Sequence, residues 1–346
     1  MKNNQLLLVS RPMGTPKEAN FAVQSTPIKP LNDGEVLVKN QFLSIDPAMR
    51  SWMAEGKSYI NPIQIGGVMR AMGVGLVLDS KYPEIKAGEY ISTELGVQEY
   101  STLYNFTSSQ RLGVQSYVYS IKENNLPLPT HLGALGIPGM TAYFGMLAVG
   151  KIQAGETVVI SGAAGGVGTI AGQIAKIKGC KVIGITSSDE KCQGLLHDFN
   201  FDYAINYKNP QWKDELMGIC PEGVQLFFDN VGGDILNTLL GCLSKGGRVI
   251  LSGAASQYNN MAFMRGPANY LSLIVNRAKI EGFVNIDYYH QFDEARNEIK
   301  NWIQAGLLNP DNYVVKGGID DFHAILIDLF AGKNLGKMVM ELQTLN

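Results

Sequence analysis

The pattern of hydrophobic and polar residues changes near Leu132. Before this point, short β-type runs alternate with turn residues, and clear examples cover residues 6–9, 34–39, 73–79 and 88–92. Such runs, bounded by glycine and proline, predict a small antiparallel, barrel-like domain. After Leu132, strand-like runs alternate with helical ones, which predicts βαβ units and a parallel sheet. The change of pattern therefore marks a domain boundary.

Six strands are predicted in the second region. They cover residues 157–161, 181–186, 203–206, 226–229, 248–252 and 279–283. Between the first two strands, apolar residues recur at helical spacing, and we expect this helix to end at Gly179. The apolar positions are Ile170, Ala171, Ile174, Ala175 and Ile177. Six strands with intervening helices are typical of a doubly wound α/β Rossmann domain with a parallel sheet.

The last forty residues return to short elements. We predict a strand-like run at residues 313–315, an amphipathic stretch at 322–330 and a final strand at 337–342. The chain length of 346 residues favours two domains, and 45% hydrophobic residues supply apolar material for two cores.

Charge and hydropathy argue against several classes of partner. The formal net charge of −2 gives no basic surface for nucleic acid. No apolar stretch approaches the ~20 residues that a membrane helix needs. The first residues also lack the hydrophobic region of a signal peptide. We therefore expect a cytoplasmic protein that binds neither nucleic acid nor membrane.

Cysteine and histidine positions show no metal-binding pattern. These residues are Cys180, Cys192, Cys220, Cys242, His131, His197, His290 and His323. They form neither a C-x-x-C pair nor an H-E-x-x-H helix, the spacings that bring zinc ligands together. We expect no metal site.

A strand, a glycine-rich turn and a helix follow one another in the second region. The turn reads Gly162-Ala163-Ala164-Gly165-Gly166-Val167-Gly168. In a dinucleotide-binding G-x-G-x-x-G motif, the first glycine makes a tight turn, the second admits the pyrophosphate and the third lets helix pack against strand. Ala163, Gly165 and Gly168 hold those offsets, and the alanine is compatible with the motif if its φ is negative. The helix N-terminus then offers N–H groups to the phosphates.

The end of the next strand indicates which dinucleotide binds. An acidic residue about 20 residues after the motif would bind the ribose 2′-hydroxyl of NAD. Here the sequence is Thr186-Ser187-Ser188, which leaves room for a 2′-phosphate, and Lys191 is close enough to neutralise it. Asp189 is interpreted as the N-cap of the following helix. The pattern favours NADPH, with a solvated surface lysine as the alternative interpretation of Lys191.

Several further motifs are typical of one family. They are residues 161–168 and 189–191, Asn206-Tyr207-Lys208, Phe228-Asp229-Asn230-Val231-Gly232-Gly233, Tyr258-Asn259 and Asn334-Leu335-Gly336-Lys337. Together they resemble the zinc-independent medium-chain dehydrogenases/reductases, and more narrowly the prostaglandin reductase and 2-alkenal reductase group. The resemblance extends from about Leu37 to the C-terminus.

The resemblance implies a GroES-like β-rich catalytic domain, residues 1–130 with 305–346, and a Rossmann NADP-binding domain, residues 131–304. It implies a homodimer that uses NADPH to reduce the carbon-carbon double bond of α,β-unsaturated ketones or aldehydes by hydride transfer to the β-carbon. The implied cofactor-binding residues are Met140, Thr141, Gly165, Gly166, Val167, Gly168, Lys191, Tyr207, Asn230, Ser252, Gly253, Ala254, Tyr258, Phe283, Val284, Asn285 and Asn334. Asn230 could instead cap the glycine turn that follows it, and Phe283 and Val284 could be core residues.

Two tyrosines are candidate catalytic residues. Hydride addition to an enone leaves negative charge on the carbonyl oxygen, so the site needs a hydrogen-bond donor. Tyr258 is a neutral phenol at pH 7 and can donate. Members of the resembled family usually have tyrosine where this chain has Ala48, and Tyr59 is either a partial replacement for that ring or an ordinary half-buried tyrosine.

Two other functions remain open from the sequence. One is an NADPH quinone oxidoreductase of the same superfamily. The other is a non-catalytic NADPH-binding protein, because a cofactor fold can persist after activity is lost.

Overall fold

The computed structural model of the protein describes residues 1–56, 58–104, 106, 118–122 and 125–343. Within this part of the chain, the β-strands are β1 (Lys2–Leu8), β2 (Phe21–Pro27), β3 (Val36–Ser44), β4 (Met72–Ser80), β5 (Tyr90–Glu94), β6 (Tyr100–Leu103), β7 (Tyr119–Ile121), β8 (Thr157–Ser161), β9 (Lys181–Thr186), β10 (Tyr203–Asn206), β11 (Val224–Asp229), β12 (Leu243–Leu251), β13 (Lys279–Gly282), β14 (Asn312–Gly317) and β15 (Lys337–Leu342). The α-helices are α1 (Met49–Trp52), α2 (Ile137–Phe144), α3 (Gly166–Ile177), α4 (Asp189–His197), α5 (Trp212–Ile219), α6 (Gly233–Gly241), α7 (Ser272–Asn276), α8 (Phe292–Gln304) and α9 (Phe322–Phe330).

The chain divides into two units. The first unit comprises Met1–Leu132, Tyr313–Lys333 and Met338–Asn346, and the second comprises Gly133–Asn312 and Asn334–Lys337. The sequence predicted that this second domain ends at residue 304, whereas the second unit continues to Asn312. The second unit also includes the four-residue segment Asn334–Lys337. Residues of the first unit flank this segment on both sides, so no local sequence pattern indicates that it belongs to the second.

Antiparallel pairing characterises the first unit. In the described residues, β14, β15, β3, β4, β5 and β7 lie side by side in that order, and β6 also pairs with β3. Strand β3 is antiparallel to β4, β6 and β15. Val36, Val38, Val77, Ile91 and Leu95 form a buried cluster on these strands. The prediction of a β-rich first domain is confirmed.

The second unit contains a parallel sheet. Among the described residues its strand order is β10-β9-β8-β11-β12-β13, which is the 3-2-1-4-5-6 order of the doubly wound Rossmann fold. The predicted six-stranded parallel sheet is therefore confirmed. The succession of strands reverses between β8 and β11, and ligands of such sheets bind at the carboxyl ends of the strands at this switch point.

The predicted strand ends are correct for β8, β9 and β10, but β11 and β12 begin earlier than expected. Val224 pairs with Leu243, and the register shifts before the next pair, Leu226 with Arg248. Gly246 has a φ of 77°, which suits an irregular step of this kind. Gly246 stands beside Gly247, so the sequence of this segment resembles a turn. The pairing of Val224 with Leu243 could therefore not be predicted from the sequence.

Helix α3 packs with the stripe expected from the sequence. Ile170, Ala171, Ile174 and Ala175 are buried. The helix ends at Ile177, and Gly179 follows in the left-handed conformation with a φ of 81°. Glycine is favoured at this position because it has no Cβ to strain the turn. In the described part of the chain, no helix combines the length and the apolar composition that a membrane span requires.

Candidate functional site

The glycine-rich loop connects β8 to α3 at the switch point of the parallel sheet. Its left-handed residue is Gly162, with a φ of 57°, whereas Ala163 is not among the residues with positive φ. The alanine in the first glycine position is therefore compatible with the turn. Gly165 is the N-cap of α3, and the first N–H groups of the helix have no acceptor within it. These groups and the helix dipole could hold a pyrophosphate.

Two glycines of this loop have different surroundings. A Cβ on Gly168 would lie 2.6 Å from the Ala163 Cα and 2.7 Å from the Ala163 oxygen, which are backbone atoms. A Cβ on Gly165 would meet one atom, the Gly162 oxygen, at 3.2 Å. Gly168 is therefore required for packing of helix against loop, whereas Gly165 leaves space on the side that a ligand can approach. Gly166 and Val167, beside it, are half-buried.

The segment Asn334–Lys337 lies against the same loop. The Gly336 N–H donates to the Ala164 oxygen at 2.9 Å, and Gly336 forms a parallel bridge with Gly165. The Asn334 side chain is 5% exposed, and its Nδ2 donates to the Gly336 oxygen at 2.7 Å. Asn334 therefore shapes the segment that covers the loop. A direct contact between Asn334 and a cofactor stays a prediction.

Lys191, in the first turn of α4, and Tyr207, directly after β10, follow the carboxyl ends of the neighbouring strands β9 and β10. The Tyr207 N–H donates to the Thr186 oxygen at 3.0 Å, which joins the two strand ends. Lys191 is half-buried, and burial lowers its pKa, as does the positive charge of Lys208 next in importance. Two ammonium groups are thus held near each other, an arrangement that an anion would stabilise.

The N-cap of α4 is Ser188, so the interpretation of Asp189 as the cap is wrong. The Ser188 Oγ accepts the Lys191 N–H at 3.3 Å. Asp189 is the first helical residue, and its carboxylate accepts the Asn206 Nδ2 at 2.9 Å. Serine and aspartate are about equally good N-caps, so the sequence could not distinguish them. Asp189 is the acidic residue nearest the end of β9, and its carboxylate is hydrogen-bonded to Asn206.

Asp229 and Asn230 connect the ends of β8 and β11. The Asp229 carboxylate accepts the Ser161 hydroxyl at 2.6 Å and the N–H groups of Val231 and Gly232 at 3.0 Å. The Asn230 Nδ2 donates to the Ser161 oxygen at 2.8 Å. Asp229, rather than Asn230, therefore caps the glycine turn, and the alternative interpretation of Asn230 is wrong. Asn230 as a cofactor contact stays a prediction.

Tyr258 lies in a short 3₁₀ segment, Ala255–Phe263, after the end of β12. Its hydroxyl oxygen accepts the Ala254 N–H at 3.2 Å. Burial raises the pKa of Tyr258, the Ala254 N–H opposes this, and the Asp229 charge adds to it. The Ser252 and Gly253 N–H groups donate to the Asp229 main-chain oxygen. The structure thus brings residues 252–254, Tyr258 and the switch point together.

The other predicted cofactor residues form a second group around α2. The Asn285 Nδ2 donates to the Thr141 Oγ1 at 2.8 Å. The Met140 side chain is fully buried, so Met140 packs in the core. Phe283 and Val284 are half-buried, and the Phe283 ring lies close to Gly145. The structure therefore brings Thr141 and Asn285 together, while the cofactor contacts of this group remain predictions.

Tyr59 belongs to the first unit and is 55% exposed. It is thus more exposed than the half-buried tyrosine that the sequence suggested. Ala48 precedes helix α1 of the same unit as its N-cap. A catalytic role for Tyr59 stays a prediction.

Metal-ligating side chains do not cluster in the described part of the chain. No group of three or more His, Cys, Asp or Glu residues lies there in a position to hold a metal ion. All four cysteines are in this part and are free thiols.

Two polar residues of this region were not selected from the sequence. Asp229 ends a strand that is otherwise apolar, in Phe227-Phe228-Asp229, and such a residue at a strand's carboxyl end was a usable signal. Lys208 follows Tyr207 in a motif that the sequence did highlight. Its proximity to Lys191 depends on the pairing of β9 with β10, which is not visible in either segment alone.

Comparisons with known proteins match nearly the whole chain. Family models described as "N-terminal domain of oxidoreductase" and "Zinc-binding dehydrogenase" match residues 4–110 and 166–301. The chain is 37% identical to a 2-alkenal reductase (NADP(+)-dependent) of Nicotiana tabacum, over 98% of this chain and 97% of that protein. It is 36% identical to prostaglandin reductase 1 of Mus musculus, over 95% of each chain.

A solved structure is similar as well. The crystal structure of CurA in complex with NADPH from Vibrio vulnificus has a TM-score of 0.89 and 34% sequence identity, and the match covers 99% of this chain and 100% of that one.

Proposed function

The chain belongs to the medium-chain dehydrogenase/reductase family, as an NADP-dependent oxidoreductase, and from that premise we propose that it reduces the carbon-carbon double bond of α,β-unsaturated ketones and aldehydes with NADPH. The observation that carries the choice of reaction is the position of the Tyr258 hydroxyl, which accepts the Ala254 N–H just after the carboxyl end of β12. Its chemistry suits the stabilisation of negative charge on an oxygen atom.

The residues of the second unit fit NADPH. The N-terminus of α3 suits the pyrophosphate, because its N–H groups are unpaired and Gly165 has no side chain there. Lys191, Lys208 and Tyr207 suit the 2′-phosphate, since all three follow the ends of the paired strands β9 and β10, and the charge of Lys208 acts on Lys191. When bound, NADPH supplies the hydride for the β-carbon.

The role of Tyr258 follows from its hydrogen bonding. A hydroxyl that accepts one hydrogen bond still carries a proton that it can donate, here to the carbonyl oxygen of an enone. Because burial raises the pKa of Tyr258, the phenol stays protonated at neutral pH. We infer that Tyr258 stabilises the enolate by donating a hydrogen bond. The same hydrogen bond from Tyr258 would also bind and orient the substrate carbonyl group.

Replacing Tyr258 with phenylalanine should lower kcat about tenfold and change KM little. The reason is that one hydrogen bond, worth about 1.4 kcal/mol, forms mainly as negative charge develops. Steady-state kinetics with a trans-2-enal measures this. An unchanged kcat would mean that another donor fills the role.

A substrate panel tests the proposed reaction. NADPH oxidation is measured with trans-2-enals, enones and quinones, and we expect kcat/KM for the enals and enones to exceed that for quinones by at least about tenfold. A preference for quinones would favour the quinone oxidoreductase alternative. NADPH binding without turnover of any of these would favour the non-catalytic alternative.

We further propose that the protein is a homodimer, formed through the edge of its parallel sheet. The segment that precedes the edge strand β13 carries apolar side chains that are each more than half exposed, namely Phe263, Tyr270, Leu271, Ile274 and Val275. Exposed apolar patches of this kind mark interaction sites. The edge strand also suits its own copy, because antiparallel pairing about Ile280 places Lys279 opposite the Glu281 of a second copy.

Replacing Ile274 with glutamate should convert the dimer to a monomer. A charge buried in an apolar interface has no partner there and disfavours association. Sedimentation equilibrium measures the mass, and Met217→Glu, an exposed methionine on α5, is the control that should stay dimeric. A wild-type protein that sediments as a monomer contradicts the proposal.

We also propose that the protein acts in the cytoplasm. The four free thiols support this, since reducing compartments keep cysteines unpaired.

A further inference from the structure

A buried carboxylate lies at the switch point of the parallel sheet. Asp229, at the carboxyl end of β11, is 0% exposed. Its hydrogen bond with Ser161 joins β11 to β8, the two strands between which the strand order reverses. Ligands of doubly wound sheets bind at this point. A carboxyl group is therefore fixed where the ligand-binding crevice is expected.

The partners of this carboxylate are neutral. The Ser161 hydroxyl and the N–H groups of Val231 and Gly232 donate to it, and no lysine, arginine or histidine of the described residues forms an ion pair with it. The N-terminus of α6 follows directly and contributes only about half a positive charge. Burial raises the pKa of Asp229, and the hydrogen bonds from Ser161, Gly232 and Val231 oppose this. Because all three groups donate, they suit the ionised carboxylate, which only accepts hydrogen bonds. The arrangement leaves a net negative field for a positively charged ligand.

The same residue holds the segment that the family resemblance assigns to the nicotinamide half of the cofactor. The main-chain oxygen of Asp229 accepts the Ser252 N–H at 2.9 Å and the Gly253 N–H at 3.2 Å. The Asp229 charge also reaches the Tyr258 hydroxyl and raises the pKa of that group, after the larger effect of burial. Asp229 is therefore close to the residues proposed to surround the reacting ring.

We propose that the Asp229 carboxylate favours the oxidised, positively charged nicotinamide over the reduced, neutral one. The inference rests on the proposed function. Loss of a hydride leaves a unit positive charge on the ring, and a fixed negative charge nearby stabilises that form. Asp229 touches no reacting atom in this account. It acts as a positioning residue whose charge makes hydride donation more favourable.

Equilibrium binding tests the proposal without any turnover. Dissociation constants for NADP⁺, NADPH and 2′,5′-ADP are measured for the wild type and for Asp229→Asn and Asp229→Ser. Asparagine and serine side chains can also accept a backbone N–H two residues further on, so both neutral variants retain an acceptor for the turn. We expect NADP⁺ to bind about tenfold more weakly, from loss of a charge interaction at short range, while NADPH changes less than about twofold. Binding of 2′,5′-ADP, which has no nicotinamide, should not change.

Two control variants separate charge from shape. Asp229→Glu keeps the charge and should keep the wild-type ratio of the NADP⁺ and NADPH dissociation constants. Ser161→Ala removes one hydrogen bond to Asp229 without removing the charge, and it should also keep the ratio. This variant tests the proposal even if the neutral variants do not fold.

Two results would overturn the inference. One is equal weakening of NADP⁺ and NADPH in the neutral variants, which would make Asp229 a purely structural cap. The other is a change of the ratio in Ser161→Ala as large as the tenfold change expected from charge removal. Failure of the wild type to bind 2′,5′-ADP and NADPH is a different outcome, because it contradicts the proposed function itself.

Discussion

Lys191→Ala should weaken NADPH binding by about ten- to a hundredfold and leave NADH binding nearly unchanged. The hydrogen bond of an ammonium group to a charged phosphate contributes roughly 1.5–3 kcal/mol, and about 1.4 kcal/mol is a tenfold change in affinity. NADH has no 2′-phosphate, so the NADPH preference should fall by nearly the full factor. Calorimetry with both cofactors measures the ratio.

The position of Lys191 supports an effect of this size. It is half-buried, and its own backbone N–H is fixed by the Ser188 side chain at the start of α4. The backbone that carries the Lys191 side chain is therefore held in place at the start of the helix. Lys208 is exposed by comparison, and exposed charge pairs are weak. We expect Lys208→Ala to weaken NADPH binding less than about fivefold.

A control separates this contact from a change in overall charge. Lys245 is an exposed lysine in the irregular part of β12. Lys245→Ala removes one positive charge, as Lys191→Ala does, but at a position distant in sequence from the ends of β9 and β10. It should leave both cofactors unaffected. If Lys191→Ala weakened NADPH and NADH alike, Lys191 would instead support the fold or the pyrophosphate site, and the preference for NADPH would depend on Tyr207 and the serines.

Much of the second unit could be predicted from the sequence because its signals are local. Strands β8, β9 and β10 were located to the residue, since each is a short apolar run bounded by polar or glycine residues. The glycine turn between β8 and α3 was recognised for the same reason. In the first unit, β2, β6 and β7 were not individually predicted, because their alternation is weak.

Other features were missed because they depend on neighbours that are distant in sequence. Ser188 and Asp189 are adjacent candidates for one N-cap, and the choice is visible only in the contact of Asp189 with Asn206 on the next strand. Asp229 takes the role that the sequence offered to Asn230, since its carboxylate reaches both the glycine turn and Ser161. The site is thus assembled from strand ends that only the sheet brings together.

Gly165→Ala and Gly168→Ala should separate cofactor binding from stability. A methyl group on Gly168 would press against backbone atoms of Ala163, which cannot rotate away. Overpacking of this kind costs about 1–3 kcal/mol, so the midpoint temperature of unfolding should fall by about 2–12 °C. Gly165 has a φ of −91°, which alanine adopts without strain, and its Cβ would meet one backbone oxygen at 3.2 Å. Gly165→Ala should therefore unfold within about 2 °C of the wild type.

The binding measurements should show the reverse order of effects. The methyl group of Gly165→Ala projects where the pyrophosphate approaches the start of α3, so NADPH affinity should fall by more than about tenfold although the fold is intact. Differential scanning calorimetry without cofactor and titration with NADPH give the two quantities for each variant. If Gly165→Ala bound NADPH normally, the pyrophosphate would not lie against Gly165. If it lost as much stability as Gly168→Ala, the loop would pack more tightly at Gly165 than its surroundings indicate.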